Sequence, residues 1–288
     1  MVDWPQMRVQ VIDNVSRNMA RVLCPLIEQS TDLRVAVAFM SHRGLGVIRP
    51  SLAAALQAGA TVEFLVGLDM RTTEPEALQA VLDLSHGSGE VGLYCYAGLT
   101  GVGTYHPKLY LSRMPDIATF IVGSSNLTEG GLKRNVEINV LIEADIRDEA
   151  VSDIHAAYNR LKFHPERVIP DGEFIALYAE LRDRERATEQ SAGRDTSIRA
   201  LRRTFREKAA SLRRPLPSRR DLVGWLELVF DALPDGEFTN DMVYASESEF
   251  QRQYPDNLNI RAKVRQQLQV LRDMGLIEHV AAGRWRKL

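Results

Sequence analysis

Three short runs of aliphatic and β-branched residues are separated by two stretches of helical periodicity, and this alternation leaves few folds open. The runs are residues 33–40 (LRVAVAFM), 62–68 (VEFLVGL) and 91–96 (VGLYCY), with helical patterns at 46–58 and 75–84 between them. A β-α-β-α-β order of this kind implies a parallel or mixed sheet covered by helices on both faces. The rhythm then changes: residues 108–112, 118–122 and 136–143 read as strands joined by short turns. A helix over about 147–161 closes the unit, and HPERVIPDG (164–172) reads as its exit loop. Upstream, Val9, Ile12, Val15, Met19, Val22 and Leu26 recur at helical spacing and predict a helix from Trp4 to about Ser30.

Residues 173–213 are rich in Arg, Glu and Ala, and Pro215 and Pro217 then punctuate the chain. Beyond them a second compact unit is expected. It has an amphipathic helix over 221–233, a turn at PDGEF, a helix over 240–250, and a third helix capped by Asn259 and ended by Gly275. A small hairpin turning at Gly283 follows. The expected organisation is a catalytic domain over 1–170, a helical basic linker over 171–215 and a C-terminal domain over 216–288.

Composition excludes several classes. No apolar run approaches the roughly 20 residues that span a bilayer, and the N-terminus lacks the pattern of a secretory signal. Cys24 and Cys95 are the only cysteines among 288 residues, too few for a disulfide framework or a four-thiolate zinc site. These features point to a cytoplasmic chain with two structural thiols. The net charge of −2 hides an asymmetry, since residues 1–200 carry 20 basic against 26 acidic side chains while residues 201–288 carry 16 against 12. Segment 201–220 holds eight Arg or Lys and one acid, Glu207. It reads either as a solvated linker helix or as part of a surface for a polyanion such as DNA.

The chemistry concentrates in three pieces: Tyr105-His106-Pro107-Lys108-Leu109-Tyr110, Gly123-Ser124-Ser125-Asn126-Leu127-Thr128, and Asn135-Val136-Glu137. Each piece alone is weak, because a lone strand-edge His, a GSSN turn and a strand Glu are usually structural. Together they form a set. His106 and Lys108, two apart at a strand start, share one face of the sheet. Asn126 follows the next strand, and Glu137 is expected to begin the one after. A neutral imidazole can attack phosphorus while a second proton donor serves the leaving oxygen. Glu137 could hold the far ring nitrogen. Lys108 and Asn126, with Ser124 or Ser125, could donate to the non-bridging oxygens. No carboxylate cluster of the two-metal kind lies near the motif, so no metal and no cofactor is expected.

This H-x-K, G-S-x-N and downstream Glu pattern resembles the signature of the phospholipase D superfamily, and its order and spacing resemble the bacterial nuclease branch that includes BfiI-type restriction enzymes. The resemblance covers roughly residues 30–165. It implies a phospholipase D-like mixed sheet flanked by helices. It also implies two H-x-K copies per active site, and this chain has one. None of His42, His86, His155, His164 and His279 has a Lys two residues on. A homodimer with one site across its twofold axis is therefore expected. One departure stands out: the superfamily often has Asp five residues after the Lys, where this chain has Arg113.

The last 50–70 residues, including NIRAKVRQQLQVLRDMGLIEHVAAGRWRKL, look like a winged helix and are similar to the C-terminal reader domain of the DpnI restriction enzyme. Ile260, Val264, Leu268 and Leu271 form the third helix's apolar stripe. Arg261, Ala262, Arg265, Gln266 and Gln269 then point away from the core, residue types that suit major-groove reading. Arg284, Arg286 and Lys287 suit phosphate contact. Trp285 is either a core or dimer residue or, by that resemblance, an aromatic that senses N6-methyladenine. The leading expectation is a metal-independent, dimeric endonuclease of restriction type acting on double-stranded DNA through a phosphohistidine. The alternatives are a phospholipase D-type lipid phosphodiesterase and a catalytically idle DNA-binding regulator.

Overall fold

The computed structural model describes all residues except 1–6, 16, 69–71, 88–89, 99–102, 191–195 and 256. In chain order the first elements are β1 (Arg8–Ile12), α1 (Met19–Gln29), β2 (Asp32–Val37), α2 (His42–Gln57), β3 (Thr61–Gly67), α3 (Pro75–Gly87) and β4 (Val91–Tyr96). Next come β5 (Lys108–Arg113), β6 (Ile117–Gly123), α4 (Glu129–Lys133), β7 (Asn139–Asp145), α5 (Glu149–Lys162), β8 (Arg167–Val168), α6 (Gly172–Gln190) and α7 (Thr196–Ser211). The chain ends with α8 (Trp225–Asp231), β9 (Glu237–Thr239), α9 (Asn240–Tyr244), α10 (Glu247–Gln253), α11 (Ile260–Asp273), β10 (Ile277–Ala281) and β11 (Arg284–Lys287). Two compact units result, one from residues 7–143 with 165–215, the other containing 144–164 with 216–288.

The first unit is built on an eight-stranded mixed sheet of order β1-β7-β6-β5-β2-β3-β4-β8. Strands β2, β3 and β4 run parallel, and β5 is antiparallel to β2 with Val37 opposite Lys108. Because β2, β3 and β4 lie side by side in chain order and such crossovers are right-handed, α2 and α3 fall on the same face. The mixed sheet flanked by helices is the expected fold class. The apolar stripes of α2 and α3 meet β2 and β3 in a core that includes Val35, Val37, Ile48, Leu52, Phe64 and Val66. Residues 171–215, expected as a linker, contribute Phe174, Tyr178, Leu181, Phe205 and Ala209 to that same core. Cys24 and Cys95 are free, and burial pushes the Cys95 thiol up to about 12, the behaviour of an inert core residue.

The N-terminal expectation is corrected. RVQVI (8–12) is the edge strand β1, paired antiparallel to β7 with Val9 opposite Ile142, and the helix begins only at Met19. Val9, Ile12 and Val15 satisfy helical spacing, but alternation across 8–12 satisfies strand pairing equally well. Asn14 at φ 57° and the cap Asn18, whose side chain accepts from the Arg21 N–H at 3.0 Å, separate the two elements. Trp4 lies outside the described residues. Glu137 also differs from expectation, since β7 starts at Asn139 and residues 136–138 form an exposed connector.

The second unit packs α5, α8, α9, α10 and α11 with a three-stranded sheet of order β10-β11-β9. Trp225, Phe250, Val264, Leu268 and Leu271 fill its core, and Trp225 stacks on Tyr254 at 4.5 Å. Helix α5, read from sequence as closing the sheet domain, is fastened to this core. Lys162 pairs with Asp221 at 2.7 Å with both side chains nearly inaccessible (3% and 0%). Lys263 of α11 pairs with Glu149 at 2.8 Å and Asp153 at 2.6 Å. Gly224, at φ 60°, passes so close to α5 that a Cβ would lie 2.8 Å from Cβ of Ser152. The predicted helix over 240–250 is two short helices, and Asn259 occupies the α11 N-cap position without a side-chain cap bond. Gly275 (φ 77°) and Gly283 (φ 69°) turn the chain as expected. Among the described residues no helix is long and apolar enough to cross a membrane.

Candidate active site

The ends of β2, β3 and β4 and the start of β5 share one edge of the large sheet, and the H-x-K pair lies there. Tyr105, just before His106, is pinned. It stacks on Tyr96 at 5.3 Å, lies under the Arg167 guanidinium at 4.2 Å, and donates its hydroxyl to the Leu65 carbonyl at 3.3 Å. On the other side, the Pro107 carbonyl accepts from the Ala38 N–H at 2.9 Å. The backbone is therefore held on both sides of an exposed His106 side chain.

Lys108 is buried to 9% exposure, and its Nζ lies 2.7 Å from Nδ1, 3.0 Å from Nε2 and 3.1 Å from the carbonyl of His106. Burial pulls the Lys108 pKa below its ordinary value of 10.5, and the Glu137 charge opposes part of that fall. Asn126 is tied to the site through Phe39, whose ring lies by His106 and Lys108. Its Oδ1 accepts from the Phe39 N–H at 3.0 Å, which leaves its Nδ2 hydrogens without an acceptor among the described residues. A desolvated ammonium beside an accessible imidazole, with an unspent amide donor held through Phe39, is an arrangement able to donate hydrogen bonds to an anion.

Glu137 is held by its own loop. One carboxylate oxygen accepts from the Ser124 hydroxyl, the other from Asn135 Nδ2 at 3.3 Å. Among the described residues no hydrogen bond joins it to His106 of the same chain. Ser124 is exposed and also accepts from the Ile138 N–H at 2.9 Å, whereas Ser125 is wholly buried and structural. The Ser125 N–H donates to Asn139 Oδ1 at 3.0 Å, its hydroxyl to the Gly131 carbonyl at 2.9 Å, and its carbonyl accepts from Tyr110 at 3.0 Å. Gly123 allows this closure, because a Cβ there would meet Asn139 Oδ1 at 2.5 Å.

Sequence reasoning missed Phe39, Asn139 and Asn14. The Phe39 ring lies 5.7 Å from the His106 ring at 75° and 5.9 Å from Lys108 Nζ, while its backbone holds Asn126 and Leu127. Nothing in LRVAVAFM separates this half-buried ring from its core neighbours. Asn139 was hidden at the head of an apolar strand. Asn14 donates to the Gly131 carbonyl at 2.9 Å and the Asn135 carbonyl at 3.2 Å, tying down the loop that leads to Glu137. Among the described residues no group of three or more His, Cys, Asp or Glu side chains could hold a metal ion.

In the second unit Arg261, Ala262, Arg265, Gln266 and Gln269 are exposed on α11. Arg261 pairs with Glu247 at 2.9 Å and lies over Tyr244, whose hydroxyl accepts from Arg265 at 3.1 Å. On the hairpin, Glu237 engages both Arg284 at 3.2 Å and Arg286 at 2.6 Å, and Glu278 engages Arg286 as well. Lys287 lies over the Phe230 ring at 4.9 Å. Trp285 is a core residue at 7% exposure, with its indole N–H donated to Asn240 at 2.9 Å, so its ring is spent on packing.

Two family models match the chain, and the first runs through α5, which the contacts assign to the second unit. Residues 23–162 match the family model described as cardiolipin synthase, PLD-like domain, and residues 219–287 match the Dam-replacing HTH domain. Similar solved structures include Nuc from Salmonella typhimurium, a phospholipase D family member (25% identity, 48% of this chain and 84% of that one, TM-score 0.37). NucT from Helicobacter pylori is also similar (13% identity, 53% and 92%, TM-score 0.39), as is phosphatidylserine synthase from Haemophilus influenzae (15% identity, 71% and 46%, TM-score 0.45). The chain therefore carries a PLD-like domain with the phosphodiesterase fold and, at its C-terminus, a DNA-binding HTH domain of the DpnI type.

Proposed function

We propose that this chain is a metal-independent, restriction-type DNA endonuclease whose nucleophile is His106. The observation that carries the reading is the meeting of His106, Lys108 and Asn126 at one sheet edge, in a chain that also carries a DNA-binding HTH domain. The imidazole attacks phosphorus, a P–N bond forms, and the P–O bond to the leaving nucleoside breaks with its oxygen taking a proton. Water then displaces the imidazole, giving a phosphate monoester end. Lys108 and Asn126 donate to the non-bridging oxygens in both steps.

The proton donor for the leaving oxygen is the His106 of a second copy across a twofold axis. Exposed apolar side chains around the site support such a pairing: Val122 (43%), Val136 (95%) and Ile138 (66%) flank Ser124 and Glu137, and edge strand β1 displays Val9 and Val11. Helix α11 is the reading helix. Leu258, 89% exposed, joins Ala262 and Gln266 around a cavity of about 610 Å³ at its start. Glu149, Asn257, Asn259 and Lys263 complete its lining, and with Trp285 in the core Leu258 and Ala262 are the apolar contacts beside a Gln that would meet an adenine and its methyl group.

Digestion of methylated and unmethylated plasmid DNA in millimolar EDTA tests the reading, with a phospholipid digested in parallel. DNA should be cut and lipid spared, and His106→Ala should abolish cutting while leaving DNA binding intact. A trapped intermediate should be acid-labile and map to His106. Loss of cleavage in EDTA that magnesium restores would overturn the mechanism. Turnover of lipid alone would make the chain a lipid phosphodiesterase.

A further inference from the structure

Helix α7 carries a stripe of positive charge that the active site does not use. Arg199, Arg202 and Arg206 are three and four residues apart, so they share one helix face, and all are exposed. The adjoining face is fixed in the core by Leu201, Phe205 and Ala209, with Phe205 stacked on Phe174 at 4.7 Å. Arg202 pairs with Glu185 of α6 at 2.7 Å. Among the described residues Arg199 and Arg206 have no ion pair or hydrogen bond. The neighbouring cations are already satisfied, Arg203 by Glu207 and Lys208 by Asp171 and Glu173. A merely solvated face would carry compensating acids, yet Glu207 is the sole acid of α7 and it lies on the Arg203 side.

The stripe also sits where a substrate would pass. Arg202 and Arg206 line a small cavity with Ala97 and Gly98, the residues that follow β4. Tyr96 at the end of β4 is opposite Gly67 at the end of β3, and Val37 at the end of β2 is opposite Lys108. The arginines and His106 therefore belong to one edge of the sheet, three strand spacings apart, or about 14 Å. At 3.4 Å of helix-axis rise per phosphate of one strand, that is about four nucleotides for a duplex whose axis follows this edge.

We propose that Arg199, Arg202 and Arg206 form a phosphate track that grips duplex DNA about four nucleotides from the cleaved bond. The inference rests on the endonuclease reading and adds a contact that owes nothing to the HTH domain. It is tested with Arg199→Gln/Arg206→Gln in the full chain. Arg202 is kept, because its bond to Glu185 also joins two helices.

Binding of a long random-sequence duplex is measured across a salt series. Two lost contacts should flatten the slope of log affinity against log salt by about 1.8 and weaken binding at least tenfold at low salt. Turnover of bis(p-nitrophenyl) phosphate, too small to reach the track, should be unchanged, which also shows that the variant is folded. On duplexes ending within about two base pairs of the cut, variant and parent should behave alike. Arg199→Lys/Arg206→Lys should restore the slope. An unchanged slope on long DNA, or equal weakening on trimmed DNA, overturns the track. Failure of the parent to cleave any phosphodiester would overturn the endonuclease reading instead, and the salt slope would still report on the track.

Discussion

Lys108 joins burial to catalysis most directly. Its ammonium has to be charged to meet phosphoryl oxygens, and desolvation holds its pKa below 10.5. The alkaline limb of the pH–rate profile should therefore lie below the ordinary lysine range. Glu137 opposes that fall, so Glu137→Gln should move the limb to still lower pH in whatever activity remains. A limb that moves upward would show that another group sets it. Phe39 makes a second case. Phe39→Leu keeps the backbone bond to Asn126 but removes the ring against His106. An aromatic contact of this kind is worth about 0.5–1.5 kcal/mol, so kcat should fall up to about tenfold with KM little changed. Phe39→Tyr should recover most of the loss. His106, Lys108, Asn126 and Ser124 can be singled out in the sequence because the chemistry proposed for them depends on residue type and strand alternation. The Ser124 grip on Glu137 and the Phe39 ring were not, because loop closure and ring placement have no periodic signature.

At the scale of elements, α5 belongs to the DNA-binding unit. Breaking a buried ion pair by removing one partner costs about 3–5 kcal/mol, because the other charge stays buried. Lys162→Met should destabilise the HTH unit by that order, measured by denaturant unfolding of that transition, and Lys162→Met/Asp221→Leu should restore much of it. A fragment of residues 216–288 lacks α5 and should unfold more readily than one that retains residues 144–164. On α11, Gln266→Ala should cost roughly 1–3 kcal/mol on the preferred sequence and little on random DNA, as paired binding assays would show. Leu258→Ala should narrow any gap between methylated and unmethylated sites. Arg284 and Arg286, already engaged by Glu237 and Glu278, should contribute less to salt-dependent affinity than exposure alone suggests. The strands and most helices were readable because period 2 and period 3.6 differ clearly over six residues or more. RVQVI at 8–12 was misread because five residues satisfy both.

For the whole molecule, one H-x-K per chain predicts a dimer near twice 32.4 kDa by sedimentation. If both His106 side chains serve one site, mixing equal amounts of parent and His106→Ala chains and allowing exchange should leave about a quarter of the activity, because only parental pairs are complete. Half the activity would mean each chain works alone. The two-unit plan was visible in the change of charge and pattern near residue 215, but the membership of α5 was not. Its apolar stripe says that it packs, and contacts such as those of Lys162, Ser152 and Asp153 with residues from 218 onward say against what.

That membership gives the protein a schedule as well as a shape. On the ribosome α5 emerges ahead of α6 and α7, and the residues that cover it arrive only when the last 73 are made. At ordinary synthesis rates this leaves Ser152, Ala156 and the lone charge of Lys162 waiting on the order of ten seconds for their partners. The sheet unit must be finished around a gap in its own chain, and the DNA-binding unit closes last. A nascent chain thus acquires the fold of its sheet unit before that of its HTH unit, and on the proposed function pairing of two copies is the step that would keep such early chains harmless.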